Sequence, residues 1–300
     1  MATGKELEFK NKLDVSGRVC FLKGTGDLAK LSITTKWSSA EIYLHGAHIT
    51  HFKKKNEEPL LFLSQESRFE EGQAIRGGIP IIFPWFGAKE GFPAHGFARV
   101  KDWVLKEIVM TREGSVELHF SLPDSEKPEG VPFDLDYTVS VGETLRLRLI
   151  VINKSPDREF VYEDCLHSYF NIGGVNSVGI SGLKGVNYRD KVADFAEKTE
   201  TAEIIKISSE VDRVYMDTLS TVEIHDPALR RKIRIEKENS TSTVVWNPWI
   251  AKAQALPDFG NEEYQKMVCV ESGNLGKNKV SLAPGKSAVL KVEISSSSSL

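Results

Sequence analysis

The chain has 300 residues, of which 40% are hydrophobic and 27% charged, and its formal net charge is −3. This composition is typical of a soluble globular protein, and the lack of a basic excess argues against a nucleic-acid partner. The apolar runs are much shorter than the roughly 18–20 residues that a membrane-spanning helix needs, so no membrane partner is expected.

The N-terminal residues 1–15 are charged and contain no apolar core segment, so the sequence predicts no secretory signal. The cysteines Cys20, Cys165 and Cys269 are odd in number and far apart, without a CxxC pair. Neither a disulfide framework nor a zinc site is therefore expected. This cysteine usage fits a reducing compartment, and we expect a cytoplasmic protein.

Most of the chain has the alternation of apolar and polar residues that is typical of β-strands. In the segment 144–153 this alternation sets leucines on one face and arginines on the other, as in an antiparallel strand with one solvated face. The predicted strands are EIYLHGAHIT (41–50), VELHFSL (116–122), DYTVSV (136–141), TLRLRLIVIN (144–153), TVEIHD (221–226), RKIRIEKE (231–238), TSTVVWNP (241–248) and AVLKVEIS (288–295).

Helical periodicity is scarce, and short helices are predicted only in EVDRVYMD (210–217) and DFGNEEYQKM (258–267). There is no internal repeat and no long linker. Many short strands over this length favour one all-β domain, residues 1–300, built as a large antiparallel β-sandwich with few short helices. The low-complexity tail, residues 295–300, is predicted to be disordered.

Arg76 opens the segment RGGIPIIFPWFG, in which a cation and two glycines lead into an apolar run. Gly77 and Gly78 have no Cβ, so the backbone beside Arg76 can approach a ligand closely. A guanidinium in such a place can bind an anion through two parallel N–H bonds. The alternative is a structural ion pair with a nearby acid.

Five of the seven histidines are interpreted as structural. His45, His48 and His51 lie on a predicted strand, where residues three apart face opposite sides, so we expect no metal site there. His119 lies on the face of another strand, and His225 precedes a turn without an obvious partner.

The two remaining histidines lie where catalytic side chains are common, in a loop and at a strand end. His95 is in the glycine-flanked loop PAHGFAR, and His167 is in CLHSYFNIGG, where an apolar strand ends. Among the acids, Glu271 interrupts the apolar run MVCVESGN, and a buried carboxylate there is costly unless it is paired or used. A strand-end residue already turning into a loop is the alternative for Glu271. Asp190 and Asp258 are more simply explained as structural.

Several blocks resemble one known family when they are taken in order. They are IRGGIPIIFPWFG, HGFAR with Trp103 four residues later, CLHSYFNIG, GLKGVNYRDK, VVWNPWIAKA and DFGNEEYQKMVCVESGN. From about residue 17 to residue 294 the chain resembles the glucose-6-phosphate 1-epimerase branch of the aldose 1-epimerase (galactose mutarotase-like) family.

The resemblance implies a galactose mutarotase-like supersandwich with a concave sugar-binding face, and neither a metal nor an organic cofactor. It implies a protein whose partner is a small-molecule sugar phosphate, and which interconverts the anomers of a hexopyranose with a histidine and a glutamate. We expect a monomer. The positions that match the family are His167 and Glu271 as catalytic residues, Arg76 and Arg99 on the phosphate side of the substrate site, and His95 and Asp190 as further substrate-binding residues.

Such a pair suits the chemistry of anomerisation. A base must take the proton of the C1 hydroxyl while an acid protonates the ring oxygen, and the open aldehyde then rotates and closes again. A carboxylate and an imidazolium can fill these roles near neutral pH. No nucleophile is required, and no G-x-S-x-G elbow is present.

One position departs from the family pattern, in which a glutamine often precedes the histidine of HGFAR; here it is Ala94. The loss of this side-chain amide leaves the preferred hexose 6-phosphate open. Two other functions also stay open, anomerisation of free hexoses and non-catalytic binding of a sugar phosphate. The arginines argue against the first, and the presence of both His167 and Glu271 argues against the second.

Overall fold

The computed structural model describes residues 18–127 and 132–298, so the N-terminal segment 1–15 interpreted above lies outside the described residues. In chain order the strands are β1 (Val19–Lys23), β2 (Ala29–Thr34), β3 (Ser38–Tyr43), β4 (His48–Lys54), β5 (Ile81–Ile82), β6 (Val104–Met110), β7 (Val116–Ser121), β8 (Phe133–Val141), β9 (Leu145–Asn153), β10 (Phe160–Tyr162), β11 (Asp164–Leu166), β12 (Tyr169–Asn171), β13 (Gly179–Ser181), β14 (Asn187–Asp190), β15 (Ala196–Thr199), β16 (Ile204–Ile205), β17 (Val211–Met216), β18 (Val222–Asp226), β19 (Arg231–Glu238), β20 (Ser242–Asn247), β21 (Met267–Asn274), β22 (Val280–Leu282) and β23 (Ser287–Ser298).

Helical structure is sparse in the described residues. The α-helix α1 spans Trp249–Ala255. The 3-10 turns are Thr25–Asp27, Ala98–Val100, Asp124–Glu126, Lys191–Ala193, Glu263–Lys266 and Gly276–Asn278. Within this part of the chain, no helix combines the length and apolar character needed to cross a bilayer.

Two large antiparallel sheets dominate the fold. One has nine strands in the order β16-β13-β18-β19-β23-β9-β8-β7-β6, and the other has eight, in the order β15-β14-β17-β20-β21-β11-β5 with β12 also on β21. A four-stranded sheet, β1-β2-β3-β4, and a β10-β22 pair complete the molecule as described. The predicted all-β sandwich with few short helices is confirmed.

A shared apolar core joins the sheets. Its buried residues run from Val19 to Ile294 and form one contiguous cluster. Phe83, just after β5, packs against Phe133 of β8 with ring centroids 5.2 Å apart, which links the two large sheets. β9 shows the predicted alternation, since Leu145, Leu147 and Leu149 are buried while the arginines between them are exposed.

Three predictions of local structure need correction. EIYLHGAHIT is not one strand but a hairpin from β3 to β4, because Gly46 and Ala47 turn the chain with φ of 73° and 43°. EVDRVYMD forms strand β17 rather than a helix, since it is paired on both sides, with β14 and β20. DFGNEEYQKM contains only the 3-10 turn Glu263–Lys266.

The serine tail is more ordered than its composition predicts. Ser295–Ser298 extend β23 and pair with Arg234–Arg231 of β19, so backbone hydrogen bonds hold residues whose side chains contribute little packing. The last two residues of the predicted disordered tail lie outside the described residues.

Candidate active site

His167 and Glu271 meet because of strand register. Leu166, at the end of β11, pairs with Ser272 of β21 in antiparallel register, so the next residue, His167, comes opposite Glu271. Side chains that lie opposite each other in this way point to the same face. His167 Nε2 is 3.4 Å from Glu271 Oε1. Glu271 is in the interior of β21 and 1% exposed, which excludes the alternative of a strand-end residue turning into a loop.

Burial favours the neutral form of both groups. Desolvation, with the neighbouring charge of Asp212, raises the pKa of Glu271 well above its ordinary value. Desolvation, with the neighbouring His95 ring and the charges of Arg99 and Arg76, lowers the pKa of His167 well below its ordinary value. The sequence predicted a carboxylate and an imidazolium, whereas the structure favours a carboxylic acid beside a neutral imidazole.

Aromatic rings fix the orientation of the His167 imidazole. It stacks on Tyr169, with ring centroids 4.7 Å apart and an interplanar angle of 8°. Trp246 meets it edge-on at 6.3 Å, and the His95 ring lies at 5.7 Å. Among the described residues, the buried Nδ1 of His167 has no hydrogen-bond partner.

Arg76 lies between β4 and β5 and is held by two side chains. Its Nε and Nη2 donate to Asp258 at 3.2 and 3.1 Å, and its Nη1 donates to the hydroxyl of Tyr169 at 3.2 Å. Burial alone would lower the pKa of Arg76, but Tyr169 and Asp258 raise it above its ordinary value. Arg76 is therefore a fixed cation, and it forms the ion pair that was the alternative to an anion site.

Arg99 brings a second guanidinium toward the same region from the 3-10 turn Ala98–Val100. Its Nη2 donates to the backbone carbonyl of Ala94 at 2.8 Å. Its Nε is buried and has no partner among the described residues. Burial, with the charge of Arg76, lowers the pKa of Arg99 to about 10, so this guanidinium would gain from an anion.

His95 lies beside the catalytic candidates with a left-handed backbone, φ 66°. Its Nδ1 accepts a hydrogen bond from the backbone N–H of Gly87 at 3.3 Å, which assigns the ring proton to Nε2. Burial and the charges of Arg99, Lys191 and Arg76 lower the pKa of His95 to about 3. His95 is therefore a neutral side chain with one N–H to donate.

Asp190 is not brought to His167 and Glu271. Its carboxylate accepts a hydrogen bond from Lys198 of β15 at 2.7 Å. Asp190 pairs in register with Arg213 of β17, whereas Asp212, the neighbour of Arg213, points to the opposite face.

The acid that does lie near Glu271 is Asp212, which sequence reasoning missed. It is 6% exposed, forms an ion pair with Lys191 at 3.1 Å, and raises the pKa of Glu271. The error began with EVDRVYMD, which was interpreted as a helix. Its apolar residues Val211, Val214 and Tyr215 recur at helical spacing, so the strand that buries Asp212 carries no alternating signal in the sequence.

Four of the histidines interpreted as structural have hydrogen-bond partners, namely His45, His48, His119 and His225. His45 contacts Asp102 Oδ1 at 3.2 Å and the Gln73 carbonyl at 2.7 Å. His48 donates to the Gly77 carbonyl at 2.8 Å, which fixes the glycine pair after Arg76. The side chains in the described residues that could together hold a metal are instead His167, Cys269 and Glu271.

Comparison with known proteins agrees with this architecture. The family model described as aldose 1-epimerase matches residues 29–295. A protein of Cenchrus ciliaris named "Putative glucose-6-phosphate 1-epimerase" is 35% identical over 257 residues, covering 82% of this chain and 78% of its own. A protein of the same name from Escherichia coli (strain K12) is 37% identical over 239 residues, covering 78% and 79%.

Solved structures give the same result. The crystal structure of a protein titled "putative mutarotase" from Salmonella typhimurium superimposes with a TM-score of 0.87 at 31% sequence identity. The match covers 95% of this chain and 96% of that one. From the family match over most of its length and from these relatives, the chain belongs to the aldose 1-epimerase family.

Proposed function

We propose that this protein interconverts the α and β anomers of hexose 6-phosphates, chiefly glucose 6-phosphate, by acid–base opening and reclosure of the sugar ring. The observation that carries the proposal is the buried His167–Glu271 pair, 3.4 Å apart, with the guanidiniums of Arg76 and Arg99 acting on it from nearby. The names of the relatives from Cenchrus ciliaris and Escherichia coli support the choice of sugar.

The protonation states suggest how the cycle starts. Neutral His167 takes the proton of the C1 hydroxyl, while protonated Glu271 gives its proton to the ring oxygen as the C1–O5 bond breaks. The chain then holds an imidazolium and a carboxylate, and these reverse the transfers when the aldehyde has rotated and closes. Positioned acids and bases of this kind contribute about 10²–10⁴-fold each. His95 is assigned binding and polarisation through its Nε2–H.

The two arginines are proposed to bind the C6 phosphate, which lies at the far end of the sugar from C1. Three contacts to Asp258 and Tyr169 hold the Arg76 fork in place, yet a guanidinium has further N–H groups to offer an anion. The unpartnered Nε of Arg99 supplies another donor. We propose Asp212 rather than Asp190 as the acidic candidate, because the strand registers set Asp212 on the same sheet face as Glu271.

The cellular setting is also a proposal. The described residues contain three free cysteines and two of them are buried, which is compatible with a reducing compartment. We therefore propose that the protein is cytoplasmic. We also propose that it acts as a monomer.

Anomer exchange of glucose 6-phosphate, followed by NMR with and without protein, tests the proposal. His167→Ala and Glu271→Gln should each lower the exchange rate by at least about 10²-fold, since each removes one proton-transfer group. His119→Ala is the matched control, because His119 is partly exposed and bonded to Glu117 on β7, and its exchange rate should stay at the wild-type value. Circular dichroism checks that every variant is folded.

The outcomes separate the three candidate functions. A folded Glu271→Gln or His167→Ala variant with wild-type exchange would remove that residue from the mechanism. Equal efficiency on glucose and glucose 6-phosphate would point to an aldose 1-epimerase of free hexoses. Tight binding of the sugar phosphate without any acceleration of exchange would identify a non-catalytic binding protein.

A further inference from the structure

A group of potential metal ligands lies at the bottom of the proposed active site. His167, Cys269 and Glu271 each offer one ligand atom, and these atoms all lie within 4.8 Å of one another. All three side chains are buried. Cys269 takes no part in the acid–base mechanism above, so that mechanism does not account for its position beside the catalytic pair.

The convergence of the three side chains follows from the sheet. Cys269 and Glu271 are two residues apart on β21, so they face the same side of the sheet. His167 joins them because the β11–β21 register brings it opposite Glu271. β21 is paired with β20 along its other edge, which fixes the positions from which Cys269 and Glu271 project.

The chemistry of this set fits a thiophilic divalent cation. A thiolate, an imidazole and a carboxylate are all established ligands of Zn²⁺, and three protein ligands leave one position of a tetrahedron open. Binding of the cation displaces the protons of Cys269 and Glu271 to solvent. With a neutral imidazole, a thiolate and a carboxylate, the resulting complex has no net charge. Neutrality favours binding in a buried site, and it limits repulsion from the nearby guanidiniums of Arg76 and Arg99.

One feature distinguishes the cluster from a resident metal centre. Ligating histidines almost always donate their second ring nitrogen to an outer partner. The Nδ1 of His167 has no such partner among the described residues. The geometry therefore fits a cation that enters and leaves, rather than one that the fold is built around.

We propose that His167, Cys269 and Glu271 form an inhibitory binding site for Zn²⁺ and similar thiophilic cations. The bound cation occupies His167 Nε2 and Glu271 Oε1, and so removes both proton-transfer groups at once. The inhibition rests on the proposed function, whereas the binding does not.

Binding is tested with Co²⁺ as the probe, because a thiolate ligand gives Co²⁺ an intense charge-transfer absorption in the near ultraviolet. The full-length wild-type protein should show this band, and Cys269→Ser should lack it. Cys269→Ser should also weaken Co²⁺ binding by at least about 100-fold, since even an outer-shell partner is worth about 10–100-fold in affinity.

The other two cysteines provide matched controls. Cys20→Ser removes an exposed thiol, and Cys165→Ser removes a buried thiol that contacts Glu271 from β11 at 3.7 Å. Both variants should keep the band, although Cys165→Ser changes an outer-shell contact of Glu271 and can lower the affinity for Co²⁺. Its persistence in Cys269→Ser, or its loss in either control, overturns the proposal. If Cys269→Ser does not fold, as judged by circular dichroism, Cys269→Ala replaces it under the same criteria.

Inhibition is tested separately by anomer exchange of glucose 6-phosphate. Zn²⁺ should abolish exchange by the wild type, a chelator should restore it, and Cys269→Ser should keep its exchange in the presence of Zn²⁺. Equal inhibition of wild type and Cys269→Ser overturns the inhibitory role. A wild type that shows the Co²⁺ band but no exchange would contradict the proposed function and leave the metal site standing.

Discussion

Burial of the His167–Glu271 pair decides which proton each group holds before the sugar arrives. In a dry site the charged forms lose hydration, so the proton that would make His167 an imidazolium is better placed on Glu271. The two groups titrate as a pair, and together they hold the single proton that the reaction passes through the sugar. The pocket thus controls how many protons the pair holds and which of the two residues holds them.

The shifted pKa values predict a bell-shaped dependence of kcat/KM on pH. Because the pKa of His167 is lowered, its base form is lost only below the ordinary histidine range near about 6.5. Because the pKa of Glu271 is raised, its acid form persists above the ordinary glutamate range near about 4.3 and is lost at higher pH. His167 therefore controls the acid limb and Glu271 the basic limb, measured as exchange rate against pH.

Two controls make this assignment specific. The substrate phosphate titrates at about pH 6, so free glucose serves as a non-titrating substrate for the acid limb. The residual activity of Glu271→Gln should lack the basic limb. A wild-type profile without limbs, or a basic limb that survives in Glu271→Gln, contradicts the paired mechanism.

Arg76→Ala is expected to raise KM for glucose 6-phosphate much more than it changes the slow turnover of glucose. The physical reason is that charge-assisted bidentate bonds to a phosphate are about twice as strong as neutral ones. Arg76→Lys should restore only part of the loss, because a point charge cannot reproduce the fork. The measurement is the ratio of kcat/KM for the two sugars in each variant.

Arg189→Ala is the matched control for the change in charge, because Arg189 is half exposed and pairs with Glu197 at 3.2 Å. It should leave the ratio at the wild-type value. If Arg76→Ala also leaves the ratio unchanged, Arg76 is only the structural partner of Asp258.

The candidate residues could be identified from the sequence more readily than their arrangement. The cost of burying a carboxylate identified Glu271 as a candidate catalytic residue, and the match to the family pattern identified His167. Their contact could not be predicted, because it depends on the register between β11 and β21, two strands more than a hundred residues apart. The same applies to Asp258 as the partner of Arg76, since that contact spans 182 residues.

The segment after Arg76 is tightly confined by its neighbours. Gly77 and Gly78 have φ of 115° and 60°, and a Cβ on Gly78 would lie 2.1 Å from the carbonyl oxygen of Ile49 on β4. His48 holds the Gly77 carbonyl from the same strand. The backbone next to Arg76 is therefore in direct contact with β4.

Gly78→Ala should consequently displace the backbone that carries Arg76, lower the melting temperature and raise KM for glucose 6-phosphate. Gly72→Ala is the matched control, because Gly72 has a similar φ of 73° but nothing within 4 Å of the added Cβ. Both variants lose about 1–2 kcal/mol to the left-handed backbone. Gly78→Ala should lose about 1–3 kcal/mol more through overpacking, as thermal unfolding will show. Equal destabilisation of the two variants would contradict this account.

The strands were predictable where one face is buried, because alternation then appears directly in the sequence, as in β9 and β19. The exceptions have physical causes. β17 has buried residues on both faces and also carries charged residues. Its apolar residues therefore do not alternate, and their spacing resembles that of a helix. The tail of β23 is polyserine, and its order comes from pairing with β19, which leaves no mark on its own side chains. The helix α1 was not predicted, although Pro248 marks its start and proline favours a helix N-terminus.

At the scale of the whole molecule, the assignment of residues 1–300 to a single domain stays a prediction. The apolar cluster that runs from Val19 to Ile294 gives it a physical basis, since neither large sheet has a core of its own. Unfolding should therefore be one cooperative transition, with the same midpoint by far-ultraviolet circular dichroism and by tryptophan fluorescence. Two separated transitions would show that the sheets fold independently.

Glu271 and the arginines lie in different kinds of structural element. β21 is bonded along both edges, to β20 on one side and to β11 and β12 on the other, whereas Arg76 and Arg99 lie on connections between strands. On the proposed roles, the catalytic residues and the residues that select the substrate lie in separate segments of the chain. Selection can then exchange a connection and redirect the enzyme to another substituent at C6 without rebuilding its chemistry. Divergence of specificity within such a lineage should accumulate in those connections.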